Sequence, residues 1–517
     1  MPRSVERQLV VALNYDARLF NEVYRNWLGH GGYFVANNLF NRLVVLDIFG
    51  QGGEGGVSPD LAERWEILDG GATYRFHLRR DAFWHDGAPF TARDVAVTYG
   101  TALERGYAAA AWLDDIREIS VLDDHTIELR LHAPNGGFLA RLGMFVYTSI
   151  LPAHRFEGTD WESNPANLAP VGTGPYQFAS WELGNRIETV ANPRYFRGRP
   201  AVDRLTFTVV ADGAEAFAQL KAGEVDFCTR YAACGDLDEL AASPGVGVFV
   251  DPGNALAHIG FNVRRQPWSD QRVREAVARA VDRTALRDTV CSRALAVDQP
   301  YLPHITWASD PSIRLPAHDL AQAEALLNEA GLQRGPDGVR IHAKAVTRAV
   351  WHYWARAARL IGEQLRPLGI ELDVVQLSPT EWDAQVTGAA DFDLLVDSGD
   401  IGPDPSFLQL VLGTDGPRNV LGYTNEKVDA FLAQGRAAVD HAVRGPAYRE
   451  ALRVLAQELP RIPLMQHPIH VAYRTAWAGW SWDGAVRGTL PFWSFEQVRP
   501  RNGAPLGAPE TLSLGVE

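Results

Sequence analysis

WARAARLIGEQLRPLGIELDVVQL, residues 354–377, reads as a helix, a Pro-Gly break and then a strand over 370–377. The same order recurs on either side of it. AEAFAQLKAGEVDF (214–227) is helical up to a stop at Gly223 and leads into a short apolar run. In SDQRVREAVARAVDR (269–283), Val273, Ala276, Val277, Ala280 and Val281 fall on one stripe, with Ser269 or Asp270 placed to cap the start. DLAQAEALLNEAGL (319–332) repeats the design, with Asp319 as cap and Gly331 supplying the left-handed turn that ends a helix. A further helix runs from about Tyr448 to Leu459 and stops at Pro460, which has no N–H to donate. Strands alternating with helices on this scale predict α/β lobes with mainly parallel sheets. Residues 60–135 have a different texture, that of antiparallel strands with polar turns at Asp86-Gly87 and Asp123-Asp124.

A chain of 517 residues exceeds the roughly 250–300 at which one hydrophobic core stops growing, so two or more lobes are expected. The 46% hydrophobic and 22% charged fractions are those of a globular chain, not a disordered one. With 49 basic against 63 acidic side chains the net charge is −14, and no basic cluster marks a nucleic-acid footprint. No stretch has the ~20 apolar residues of a membrane span; FLARLGMFVYTSIL (138–151) is interrupted by Arg141. MPRSVERQLVVALNY lacks a signal-peptide core, so either the protein is cytoplasmic or the sequence starts after a removed signal. Cys228, Cys234 and Cys291 are too few for a disulfide framework. A small Cys228–Cys234 loop and buried free thiols both remain open. GQGGEGG (50–56) lacks the lysine of a phosphate loop and reads as a flexible surface loop.

Catalytic and metal signatures are missing: there is no HExxH, CxxC, GxSxG or phosphate loop. His467 and His470 flank Pro468 and fall on opposite faces of a strand-like segment, a poor metal pair. Acidic pairs occur at Asp114-Asp115, Asp391 with Asp393, and Asp400 with Asp404. Adjacency alone assigns them no acid–base role, because that depends on burial and partners. The expectation is a binding protein with no catalytic residue, metal or cofactor; a carboxylate-dependent hydrolase is the remote alternative.

Four long segments carry a resemblance. They are SPDLAERWEILDGGATYRFHLRRDAFWHDGAPFTARDVAVTY (58–99), PVGTGPYQFASWELGNRIETVANPRYFRGRPAVDRLTF (170–207) continuing to LKAGEVDF (220–227), IGFNVRRQPWSDQRVREAVARAVDR (259–283), and DFDLLVDSGDIGPDPSF (391–407) with IPLMQHPIHVAYR (462–474) behind it. In this order they resemble the extracytoplasmic solute-binding proteins of ATP-driven (ABC) importers, in the dipeptide, oligopeptide and nickel family. The resemblance implies a two-lobed, Venus-flytrap fold of the type II periplasmic-binding-protein class. Lobe I would comprise 1–40, 170–260 and 480–517, lobe II 261–479, and 41–169 would be an extra antiparallel domain on lobe I. Hinge connections would lie near Phe261-Asn262 and near Ala476–Trp482. It also implies a secreted, periplasmic or extracellular membrane-associated monomer that captures a small ligand between closing lobes for the importer's permease subunits.

For the ligand, the resemblance places Asp400 where relatives grip an α-ammonium, and desolvated ammonium needs an opposite charge. The alternative is a solvated loop aspartate. Arg356 falls near an arginine that clamps the ligand carboxylate in relatives, a task suited to a guanidinium fork. Arg348 and Arg359 lie close by in sequence. Trp382 stands upstream of Asp400 as a pocket tryptophan does, or packs a helix. His30 and Tyr33, in WLGHGGYFVANNLF (27–40), are further contact candidates. Gly172, Thr173, Gly174, Pro175 and Tyr176 read as a rigid turn into a strand. A short peptide or other amine-bearing solute is the expected ligand. The aromatic content keeps an oligosaccharide as the alternative, and nickel is disfavoured because 391–407 holds no histidine.

Overall fold

The structure is a computed structural model that describes residues 7–25, 29–46, 56–144, 147–229, 236–349, 352–400, 402, 404–482 and 494–501; side chains of 29–30, 229, 251–254, 352–353, 399–400 and 467–469 are not described. Two compact units divide it. The first comprises 1–232, 236–250 and 469–517, and the second comprises 233–235 and 251–468.

In the first unit the numbered elements are β1 (Gln8–Leu13), α1 (Gly29–Leu39), β2 (Ala62–Leu68), β3 (Thr73–Leu78), α2 (Ala92–Arg105), β4 (Ile116–Asp123), β5 (Thr126–Leu131), β6 (Tyr176–Glu182), β7 (Arg186–Ala191), β8 (Arg204–Val209), α3 (Gly213–Ala222) and β9 (Phe227–Thr229). Its main sheet runs β6-β7-β8-β1-β9. β1 is parallel to both β8 and β9, whereas β7 is antiparallel to its neighbours. Residues 60–135 contain the antiparallel sheet β2-β3-β5-β4, and the turn between β4 and β5 is Asp124-His125, one residue later than expected. This region does not separate as a compact unit of its own. Buried ion pairs bind its start to the rest: Arg42 to Glu22 at 3.1 Å, and Arg197 to Asp60 at 2.8 Å and Glu496 at 3.3 Å.

The second unit takes up β10 (Val246–Phe261), which starts in the first, and then α4 (Gln271–Ala280), α5 (Arg283–Cys291), α6 (Leu320–Glu329), β11 (Ile341–Arg348), α7 (His352–Leu365), β12 (Ile370–Leu377), α8 (Pro379–Trp382), β13 (Leu394–Asp400), α9 (His441–Glu458) and β14 (Arg461–Arg474). Its strand order is β12-β11-β13-β10-β14. β11 is parallel to β12 and β13, while β10 is antiparallel to β13. Both sheets are therefore mixed, not mainly parallel. In the first unit the antiparallel pairs come from the meander β6-β7-β8 and from β14 against β9, and in the second from β10 against β13.

The compact units divide within β10 and β14, at places different from the expected boundaries. The chain crosses at Val250–Asp251 and Pro468–Ile469. Phe261 and Asn262 lie beyond the first crossing, fixed inside the second unit. Phe261 is fully buried and stacks on Trp268 at 5.6 Å, and the Asn262 amide donates to the Ala390 and Phe392 carbonyls. Residues 476–482 end in an aromatic core of the first unit, where Trp480 and Trp482 stack at 5.3 Å and Phe249 lies parallel to Trp482 at 4.9 Å.

Local capping follows the sequence closely. Asp270, Asp319 and Asp212 each accept a backbone N–H at a helix start, and Gly223 and Gly331 have φ of 80° and 79°. α9 starts earlier than expected, at His441 behind the Asp440 cap, and contains Pro446. The missing proline N–H costs one helical bond, and the buried Arg444 in the first turn anchors that end instead. Cys228 is a buried free thiol, Cys291 is disulfide-bonded, and Cys234 lies outside the described residues. Buried thiols are thus right for Cys228 and wrong for Cys291, because sequence spacing carries no information on through-space sulfur distance. GQGGEGG lies outside the described residues apart from Gly56, at φ 67°.

Candidate functional site

The C-terminal ends of β11 and β13 bring three side chains of the second unit together. β11 ends at Arg348, whose Nε donates to Asp397 Oδ2 at 2.8 Å. Its guanidinium carbon lies 3.9 Å from the centre of the Trp382 ring. Trp382 ends α8, a single turn fixed by a capping box between Ser378 and Glu381. Asp397 and Trp382 are buried, whereas the Arg348 side chain keeps 35% of its exposure. The terminal nitrogens of Arg348 hydrogen-bond to no described residue. A guanidinium flattened on an indole and held through Nε presents its remaining donors as a preorganised fork for an oxyanion.

Asp400 is the last residue of β13 and pairs with Ala255 of β10; its side chain lies outside the described residues. Asp404, its partner in the acidic pair, is structural. Arg444 donates to both its oxygens, at 2.7 and 2.9 Å, and Asp404 caps the turn at Pro405–Phe407. Burial alone would raise the Asp404 carboxyl; the Arg444 charge and the hydrogen bonds outweigh it and hold the group below its ordinary value. The other acidic pairs are engaged too. Arg141 bonds to both Asp114 and Asp115, and Lys344 and Arg265 bond to Asp391 at 2.8 and 3.0 Å.

Arg356 stands apart from this cluster. It is exposed on α7, opposite the face that buries Trp354, Ala357, Ala358 and Ile361, and forms no hydrogen bond or ion pair with a described residue. The arginine beside Trp382 is Arg348. Its signal in the sequence was its position as the last residue of a strand, where ligand sites of α/β sheets gather.

The first unit holds a second group. α1 carries His30, whose side chain lies outside the described residues, and Tyr33. The Tyr33 and Tyr147 hydroxyls are 3.2 Å apart with perpendicular rings, and Trp112 stacks on Tyr147 at 5.7 Å. Tyr147 has φ of 71°, a left-handed conformation that costs a bulky residue about 1–3 kcal/mol. Such strain collects at ligand sites, and nothing in the sequence marked Tyr147.

The segment 172–176 is structural. A Cβ on Gly172 would lie 1.7 Å from the Leu39 carbonyl oxygen, and one on Gly174 2.6 Å from the Leu39 carbonyl carbon. No group of three or more His, Cys, Asp or Glu among the described residues is arranged to hold a metal, and no helix among them is long and apolar enough to cross a membrane.

Residues 56–419 match the family model for bacterial extracellular solute-binding proteins, family 5. The heme-binding protein A of Haemophilus influenzae is 28% identical over 456 residues, which is 83% of this chain and 82% of that protein. The dipeptide-binding protein of Escherichia coli is 27% identical over 454 residues, 82% of this chain and 83% of its own. The oligopeptide-binding protein AppA of Bacillus subtilis, solved with a nonapeptide, superposes with a TM-score of 0.80 at 24% identity, covering 96% of this chain and 99% of that one.

Proposed function

The chain belongs to family 5 of the bacterial extracellular solute-binding proteins, and on that premise we propose that it is a non-enzymatic receptor for a short peptide or another small solute bearing an amine and a carboxylate. Arg348 would take the carboxylate and Asp400 the ammonium, and the loaded protein would hand its solute to the permease of an ATP-driven importer outside the cytoplasm. The observation that carries this reading is the Arg348 fork, stacked on Trp382 and aligned by Asp397, with terminal donors that bond to no described residue. Asp400 follows Asp397 by three residues at the end of β13. A zwitterion needs two opposite charges, and each buried ion is tolerable only when paired. The dipeptide-binding relative supports the same ligand class, and nothing in the comparisons favours the oligosaccharide alternative.

Calorimetry with di- and tripeptides, their N-acetylated and C-amidated forms, and a set of short oligosaccharides tests the proposal. Free peptides should bind, and blocking either terminus should weaken them. Sugar binding without a peptide response would sink it, and turnover of a bound solute would revive the hydrolase.

A further inference from the structure

Arg461, the first residue of β14, has no acidic hydrogen-bond or ion-pair partner among the described residues. Its side chain lines a pocket of the second unit together with His258 and the apolar side chains of Leu256, Leu408, Leu412 and Leu455. The Nε is buried and has no hydrogen-bond partner, and the guanidinium forms no ion pair with any described residue. Two charges act on it: Arg418 repels it and Asp397 attracts it. Asp397 accepts from Arg348 through Oδ2 and leaves Oδ1 without a hydrogen-bond partner, and it forms no ion pair with Arg461. His258 contributes no anion. It is buried, its Nδ1 donates to the Leu256 carbonyl at 3.0 Å, and burial keeps the ring neutral.

From this geometry we infer that Arg461 anchors a ligand carboxylate carried on an apolar stem, at a subsite separate from the Arg348 fork. The inference deepens the receptor reading and rests on it for the identity of the ligand as a peptide. A guanidinium among leucines with no ion pair of its own is costly, and an entering carboxylate lowers that cost while gaining charge-assisted hydrogen bonds. Burial, followed by repulsion from Arg418, pushes the Arg461 group down to about 10, which leaves it cationic at neutral pH. The leucine walls suit the methylenes of an acidic side chain. The preferred solute class is therefore an acidic peptide, its side-chain carboxylate or the terminal carboxylate of a longer chain entering the pocket.

Two measurements on the full chain test this. In calorimetry, Ala-Glu should bind about tenfold more tightly than Ala-Gln, and Arg461→Met should bring that ratio near one. Arg461→Lys, which keeps the charge without the fork, should give an intermediate ratio if the methionine variant does not fold. Comparing Ala-Ala-Ala with its C-terminal amide separates a terminal carboxylate from a side-chain one. Independently of any peptide, glutarate should raise the melting temperature of the wild type, raise that of Arg461→Lys less and leave that of Arg461→Met unchanged, and glutaramide should raise none of them. Equal responses to glutarate in wild type and variants, or none in wild type, overturn the inference. An Arg461-dependent glutarate response without peptide binding supports the anion subsite and rejects the peptide reading.

Discussion

Arg348 and Arg356 are eight positions apart and chemically identical, and their surroundings decide between them. Arg348 is held by Asp397 and flattened on Trp382, while Arg356 projects from the exposed face of α7. A fork already fixed in place loses little entropy on binding; a free surface arginine loses rotamer freedom for each contact it makes. Arg348→Gln should weaken binding of a dipeptide by about 2–3 kcal/mol, the scale for breaking a desolvated charge pair. Arg356→Gln should have the smaller effect in the same calorimetric titration. The opposite ranking would return the carboxylate to Arg356. Asp400 and Asp404 teach a related lesson, because two acids four positions apart divide into a ligand candidate and a buried counter-ion of Arg444.

Among the elements, α1 shows how a turn far away in sequence positions a candidate contact. Gly172 and Gly174 press their backbones against Leu39, the last residue of α1, and the Gly174 N–H donates to the Leu39 carbonyl at 2.8 Å. The helix that carries Tyr33 is thereby fixed from its C-terminal end. Gly172→Ala inserts a methyl group where the Leu39 carbonyl stands, and neither backbone can yield without shifting the helix. Overpacking of this kind costs about 1–3 kcal/mol. Urea denaturation should therefore show a lower midpoint with an unchanged slope, and a wild-type midpoint would mean that the turn relaxes freely. The capped starts of α4 and α6 could be read from single aspartates because a cap is a contact over two or three residues.

At the level of the whole molecule, two strands carry the chain between the units, at Val250–Asp251 and Pro468–Ile469. A ligand that touches one unit alone cannot shift a balance between open and closed arrangements, whereas one that touches both favours closure. Complete switching from 1:99 to 99:1 needs about 5.5 kcal/mol of differential affinity. Small-angle scattering at saturating dipeptide should show a smaller radius of gyration than without it. An unchanged profile with peptide demonstrably bound would confine the ligand's contacts to one unit.

What the sequence determined by itself was local or cumulative. Helices with their caps, the strand at 370–377, the antiparallel texture of 60–135 and the family resemblance all come from patterns running along the chain. Tertiary structure alone decided that Arg348 meets Trp382 and Asp397, that Asp404 belongs to Arg444, that Cys291 is disulfide-bonded and that the crossings lie inside β10 and β14. The reason is physical. Periodicity fixes which face of an element is buried, but the residue across from it depends on strand order and register, and those are set by contacts between residues far apart in the chain.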